Sequence, residues 1–446
     1  MGELAGASAD QTIQASGRVV APGFIDVHTH DDRVLLSDPA MTPKVSQGVT
    51  TVVVGNCGIS LAPFTPHGRP IPPLDLLGDA AWYRFSTFAA FIDAVERTPA
   101  AVNAVFLVGH QTLRVGAMAS LERAATQAET EVMRAEVDEA MRAGAVGFST
   151  GLFYPPARHA PTDEVVALAQ AVRPYGGLYA THLRDEGANL LDSVDEALTI
   201  GQRAGLPVVL SHHKASGKSN HGKVSLSLAR ITDAAKRQRV SLDVYPYNAS
   251  STVLLPGRLA DAPRILITWS EAMPEAAGRE LGELAAEHGV SRAVMAERLL
   301  PAGAIYFAMA EADVQTVLRY PGAMIGSDGL PGGAKPHPRL WGTFPRVLGH
   351  YARDLGLMPL EEAVHRMTGL SAKTFGLADR GVLRPGAAAD IVIFDPATVL
   401  DLATFEAPET PARGIELVMV AGKPVWRSGQ TTGERPGQAL RRLAAI

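Results

Sequence analysis

Short, continuously apolar runs recur along the chain, and most are followed by a longer stretch in which apolar residues return every three or four positions. Eight short runs stand out, at 23–27, 50–54, 104–108, 145–148, 177–180, 207–210, 241–244 and 323–325. They do not alternate apolar with polar, as half-exposed strands do, and so read as parallel strands buried on both faces. Between them lie segments with helical periodicity, such as 129–143, 162–172, 189–204 and 228–237. Gly144, Gly176 and Gly205 stand where helices commonly end in a left-handed turn. This order predicts repeated βα units of the α/β class, and eight that close on themselves make a (β/α)8 TIM-type barrel. Six or seven would leave an open sheet.

Two regions depart from that rhythm. Residues 250–307 are too long for one helical crossover and carry extra helical material at 275–288 and 291–300. An insertion there, after strand seven, would lie at the strand C-terminal ends and cover a site. The segments RGVLRPGAAADIVIFD (380–395) and LVMVAGKPVWR (417–427) read as short strands joined by Gly and Pro turns. The expected division is therefore 1–20 as the N-terminal part of a small β-subdomain, 21–375 as the barrel with its insertion at 250–307, and 376–446 as the C-terminal part of that subdomain.

Composition narrows the function. A net charge of −5 gives no clustered basic footprint for nucleic acid. Gly, His or charge interrupts every apolar run before the ~20 residues needed to cross a bilayer. Residues 1–16 have neither a basic start nor an apolar core of signal-peptide type. One cysteine, Cys57, rules out an internal disulfide framework. A cytoplasmic enzyme with a small-molecule substrate is the expectation.

The chemistry sits where polar residues meet strand ends, the place at which a βα barrel gathers its reactive groups. Run one ends in His28-Thr29-His30, run two in Gly55-Asn56-Cys57-Gly58, run five in Thr181-His182-Leu183-Arg184-Asp185-Glu186, run six in Ser211-His212-His213-Lys214, and run eight in Ser327-Asp328-Gly329. An H-x-H pair on an extended segment puts both imidazoles on one face, within reach of one metal. Taken singly, each has an ordinary explanation. A lone buried Cys is usually a core residue, a lone His a satisfied core group, and an Asp before Gly a turn former. Independent packing accidents would not place all of them at the same ends of successive strands, so their conjunction predicts a metal site. A carboxylate such as Asp328 beside it is what metal-assisted hydrolysis requires.

These segments resemble the amidohydrolase superfamily through APGFIDVHTH (21–30) and RPGAAADIVIFD (384–395). The narrower resemblance is to the N-acyl-D-amino-acid deacylases, or D-aminoacylases. It rests on QGVTTVVVGNCGISLAP (47–63), GLFYPPARHAPTDE (151–164), ATHLRDEG (180–187), LSHHKASGK (210–218), DVYPYNASST (243–252), and MIGSDGLP (324–331) with PHPRLWGTFPRVLGHY (336–351). The resemblance runs from about Gly17 to the C-terminus. It implies a barrel with a small β-sandwich, a mobile insertion over the site, and zinc. It further implies Cys57, His182 and His212 as tight zinc ligands, with His28 and His30 at a second, weaker or partly occupied position. Asp328 would be the general acid/base, and Arg339, Tyr245, Ser251 and Lys214 would bind the substrate. His213 should point away from the site.

Two departures matter. Many superfamily members bridge two metals with a carboxylated lysine from strand four, and AVGFSTGLF (145–153) has none. Relatives also carry more β-strands before the segment matching Gly17, so the β-subdomain is expected to be incomplete. The implied reaction is hydrolysis of N-acyl-D-amino acids. The rival readings are a hydantoinase or dihydroorotase type of amidase, and a metal-bearing barrel without catalysis.

Overall fold

A computed structural model describes residue 9 and residues 12–442 of the chain. Eight strands form one parallel sheet in chain order: β1 (Phe24–Asp26), β2 (Val49–Val54), β3 (Asn103–Gly109), β4 (Gly147–Gly151), β5 (Leu178–His182), β6 (Val208–Leu210), β7 (Val240–Val244) and β8 (Ala323–Ile325). All eight coincide with the apolar runs. β4 runs past the apolar stretch to Gly151, because Ser149 and Thr150 keep the ladder to β5 going as far as Gly151 opposite His182. Their hydroxyls are satisfied, Thr150 donating to Thr181 Oγ1 at 2.8 Å.

The continuous apolar runs divide between two cores. In β3, Ala104, Phe106 and Val108 join the layer between strands and outer helices. Val105 and Leu107 join Ile25, Val53, Leu178 and Met324 in a separate cluster, with side chains from β1, β2, β5 and β8. This inner cluster is the barrel interior, and it explains why neither face of these strands could be polar. Among the helices, Gln127–Ala143 starts with a capping box, in which Thr126 and Glu129 each bond the other's backbone, and ends at left-handed Gly144. Leu190–Ala204 ends at left-handed Gly205 in the same way.

Side-chain bonds and isolated backbone bonds, rather than a ladder, complete the ring between β8 and β1. Ser327 N donates to Asp26 Oδ1 at 2.8 Å, and Asp328 N donates to the His28 carbonyl at 2.8 Å. Buried Lys44 donates to Asp26 Oδ2 at 2.8 Å and to Ser327 Oγ at 2.9 Å. One backbone bridge, between Thr29 and Gly329, lies beyond both strands.

The chain ends make a five-stranded antiparallel sheet in the order Val19–Pro22, Ile391–Phe394, Ile415–Val420, Lys423–Arg427, Gln430–Thr431. The expected N-terminal part contributes Val19–Pro22; residues 1–8, 10 and 11 lie outside the described residues. The insertion contains the expected helices, as Leu281–Glu287 and Arg292–Leu299. It also has an unforeseen antiparallel sheet of Ile265–Ser270, Ala302–Tyr306 and Ser250–Val253, over its own apolar cluster. Among the described residues, no helix is long and apolar enough to cross a membrane.

Candidate active site at the strand C-terminal ends

Three of the candidate residues occupy backbone conformations that side chains rarely adopt. Cys57 has φ 55°, His212 φ 36° and Asp328 φ 49°. Such left-handed residues cost about 1–3 kcal/mol each and persist where the surroundings over-determine them. Gly55 makes the turn into Cys57 possible: at φ 81°, a Cβ there would stand 1.9 Å from the Leu107 carbonyl oxygen. His182 is the last residue of β5, and His28 and His30 follow β1 directly.

The side chains converge as expected. Cys57 Sγ lies 3.4 Å from His212 Nε2, 3.7 Å from His182 Nδ1 and 3.3 Å from His28 Nε2. Three overlapping sets have all their donor atoms within 4.8 Å of one another: Cys57–His182–His212, His28–His30–Cys57 and His28–His212–Asp328. A tetrahedral zinc with bonds of ~2.3 Å to sulfur and ~2.0–2.1 Å to nitrogen separates those ligand atoms by about 3.5 Å. The sulfur–nitrogen distances match that spacing, and a thiolate with imidazoles is a donor set suited to zinc. The residues present therefore fit such an ion.

The electrostatics agree with a thiolate. Burial alone would raise the Cys57 thiol, but the charges of His28 and His212 and the bonds from His182 and His212 hold it well below its ordinary value. Asp328 behaves alike: burial opposes its charge, while Arg339, His212, His30 and His28 outweigh it and keep the carboxyl well below the usual range. Asp328 Oδ1 is 3.3 Å from His30 Nε2 and 3.6 Å from His28 Nε2, and Oδ2 is 2.9 Å from Arg339 Nη1.

The expected substrate-binding residues surround this centre, though not all open to it. Ser251 and Lys214 line the cleft above Asp328. Lys214 Nζ is 2.7 Å from both Glu186 Oε1 and His212 Nδ1. The buried Tyr245 hydroxyl has no partner among the described residues, and the Arg339 guanidinium lies over its ring at 4.6 Å. Arg339 is fully buried and donates to the Ser251 carbonyl at 3.1 Å, while its Nε has no partner among the described residues. His213 turns away, its Nε2 2.7 Å from Ser227 Oγ on the helix Lys223–Ala234.

Several residues of the site were given no role by the sequence. Asp243, near the end of β7, meets His28 Nδ1 at 3.3 Å and accepts from His212 N at 2.8 Å, so one carboxylate supports two of the converging histidines. Glu186 lies 3.0 Å from His212 Nδ1 and 3.8 Å from His182 Nε2. Tyr154 and Arg258 line the cleft, Arg258 from the insertion. A DxY or HLRDE string gives no hint of such partnerships. What could have pointed to Asp243 and Glu186 is their position at strand ends, the same clue that picked out the histidines.

A model of the amidohydrolase family matches residues 11–235 and 222–426, and the chain belongs to that family and is an amidohydrolase. Within it the chain groups with the D-aminoacylases. It is 55% identical to the D-aminoacylase of Alcaligenes xylosoxydans xylosoxydans over 445 residues, covering 100% of this chain and 92% of that protein. It is 52% identical to the N-acyl-D-aspartate deacylase of the same organism, covering 99% and 88%. A D-aminoacylase structure, described in terms of a binuclear metal centre with one-metal activation and second-metal attenuation, superposes with a TM-score of 0.97 at 53% identity, covering 99% of this chain and 93% of that one. An N-acyl-D-glutamate deacylase from Bordetella bronchiseptica, complexed with zinc and a phosphonate mimic of the tetrahedral intermediate, gives 0.95 at 46% identity, covering 99% and 92%.

Proposed function

We propose that this enzyme hydrolyses the amide bond of N-acyl-D-amino acids, releasing a carboxylate and a free D-amino acid. The observation that carries the reading is the convergence of Cys57, His182 and His212 beside Asp328; the identities of the relatives supply the substrate class. In this reading Cys57, His182 and His212 hold one tight zinc, and His28 and His30 offer a second, weaker position. When bound, the ion supplies Lewis acidity toward the acyl carbonyl and activates water near neutral pH.

The remaining chemistry belongs to the chain. Asp328, kept ionised by Arg339, takes the proton of the attacking water and returns it to the leaving nitrogen, without which the C–N bond breaks poorly. Lys214, Tyr245 and Ser251 bind the substrate's α-carboxylate. Arg339, with its free Nε, joins them from behind Asp328. Anchored at the carbonyl and at the carboxylate, the substrate keeps only an exchange of side chain and hydrogen to distinguish its enantiomers, which is the origin of the D preference.

Metal analysis paired with turnover of N-acetyl-D-methionine and its L-enantiomer tests the reading. Tightly held zinc and turnover of the D form alone are expected. Equal turnover of both, or none of the D form by zinc-loaded protein, overturns it.

A further inference from the structure

The insertion begins with an edge strand, whose outward carbonyls need partners that no ladder supplies. Ser250–Val253 stands at the edge of its sheet and pairs with Ala302–Tyr306 on its inner side. Leu254 N bonds the Ala302 carbonyl at 2.7 Å, which sets the alternation of inward and outward backbone groups along the strand. The carbonyls of Ala249 and Ser251, two residues apart, therefore face outward together. Two side chains from the segment after β8 meet them. His337 Nε2 donates to the Ala249 carbonyl at 3.0 Å, and Arg339 Nη2 donates to the Ser251 carbonyl at 3.1 Å.

The other nitrogen of the His337 ring is also engaged. Arg339 is the first residue of helix Arg339–Arg346, so its N–H lies in the turn where a helix offers no carbonyl. His337 Nδ1 accepts from that N–H at 3.0 Å. A carbonyl at one nitrogen and an N–H at the other allow one form of the ring, neutral and protonated at Nε2. Burial and the charge of Arg339 keep it neutral, holding the imidazole well below its ordinary pKa. Tyr247 and Phe405 stand edge-on to the ring, each at 5.1 Å, and fix its plane.

The ring thus ties together two of the groups proposed to bind the substrate carboxylate. Arg339 sits on the helix that His337 caps, and Ser251, which lines the cleft, sits on the strand that His337 and Arg339 hold. We infer that His337 is a positioning residue for substrate binding, setting Arg339 and Ser251 at one spacing by bonding the helix start and the strand edge with a single imidazole. This rests on the substrate class proposed above. Asp328 is held separately, by its N–H to the His28 carbonyl at 2.8 Å and by His30 Nε2 at 3.3 Å. Loss of His337 should accordingly act on KM more than on kcat.

Three variants take the two bonds apart. In His337→Asn the amide oxygen can replace Nδ1 and cap Arg339, but the side chain is too short for Ala249. In His337→Gln an amide NH2 can reach the Ala249 carbonyl, and nothing replaces Nδ1. His337→Phe keeps a ring and loses both bonds. With zinc-loaded protein and N-acetyl-D-methionine, His337→Phe is expected to raise KM about tenfold, with kcat within about threefold and zinc content unchanged. The two amide variants, each keeping one bond, should have KM values between native and His337→Phe. Should His337→Phe fold poorly, the amide variants decide alone, each with KM raised at least about twofold. A rise of less than about threefold in His337→Phe, a loss confined to kcat, or a native KM in either amide variant overturns the positioning role. Turnover of the D substrate by the native enzyme in those cases leaves the proposed reaction standing; its absence overturns both.

Discussion

The two ends of the barrel are built from opposite materials. At the strand N-terminal end, helix Gly369–Phe375 and the C-terminal segment close the interior. Phe375, Ala372 and Leu440 join the inward side chains of the strands there, and Leu440 N bonds the Ala104 carbonyl at 2.8 Å. At the C-terminal end the buried residues include His28, His30, Asp328, Arg339 and Lys214, and Cys57, His212 and Asp328 there are left-handed. One end is an apolar plug, and the other concentrates charge and strain. The barrel can hold reactive groups in costly conformations at one rim because the other rim and the interior supply the stability.

Substitutions at the two ends should therefore separate activity from stability. At the polar rim, Asp328→Asn is expected to lower kcat by about 10²–10⁴-fold while zinc content and circular dichroism stay as they were. Retained kcat would remove Asp328 from proton transfer. At the opposite end, Phe375→Ala should cost about 3–5 kcal/mol in urea unfolding, with kcat/KM per folded molecule unchanged. A parallel loss of activity would show the ends to be coupled rather than divided. The finest test concerns Asp243, which touches no substrate in the proposed reaction. An amide can still accept from His212 N, but its NH2 cannot accept from His28 Nδ1–H. Asp243→Asn should weaken metal binding at the His28 side by about 10–100-fold in a metal titration, with Cys57–His182–His212 loading retained. Unaltered binding at both positions would confine the rim's design to the converging residues themselves.

The sequence disclosed the rim in part. His28 and His30, His182, His212, Cys57 and Asp328 were visible because each follows an apolar run, and run ends were the single positional clue available. The clue failed for partners that meet through folding alone. Arg339 stands eleven residues beyond Asp328 on a new helix, yet returns to its carboxylate. Lys44 reaches across the barrel seam to Ser327. The insertion was read as helical because its strands Ile265–Ser270 and Ala302–Tyr306 are separated by the two helices that dominate its periodicity.

What the sequence alone determined is the βα order, the eight buried strands and the set of residues able to ligate a metal or carry a proton. These follow from hydrophobic period and from residue chemistry, both local. Tertiary structure alone decided which apolar side chains face inward, since both strand faces are apolar and the period carries no sign. It also decided the 3.3–3.7 Å spacing around Cys57 and the pairing of Asp328 with Arg339. Those are distances between segments remote in sequence, fixed by barrel closure and by the seating of the insertion.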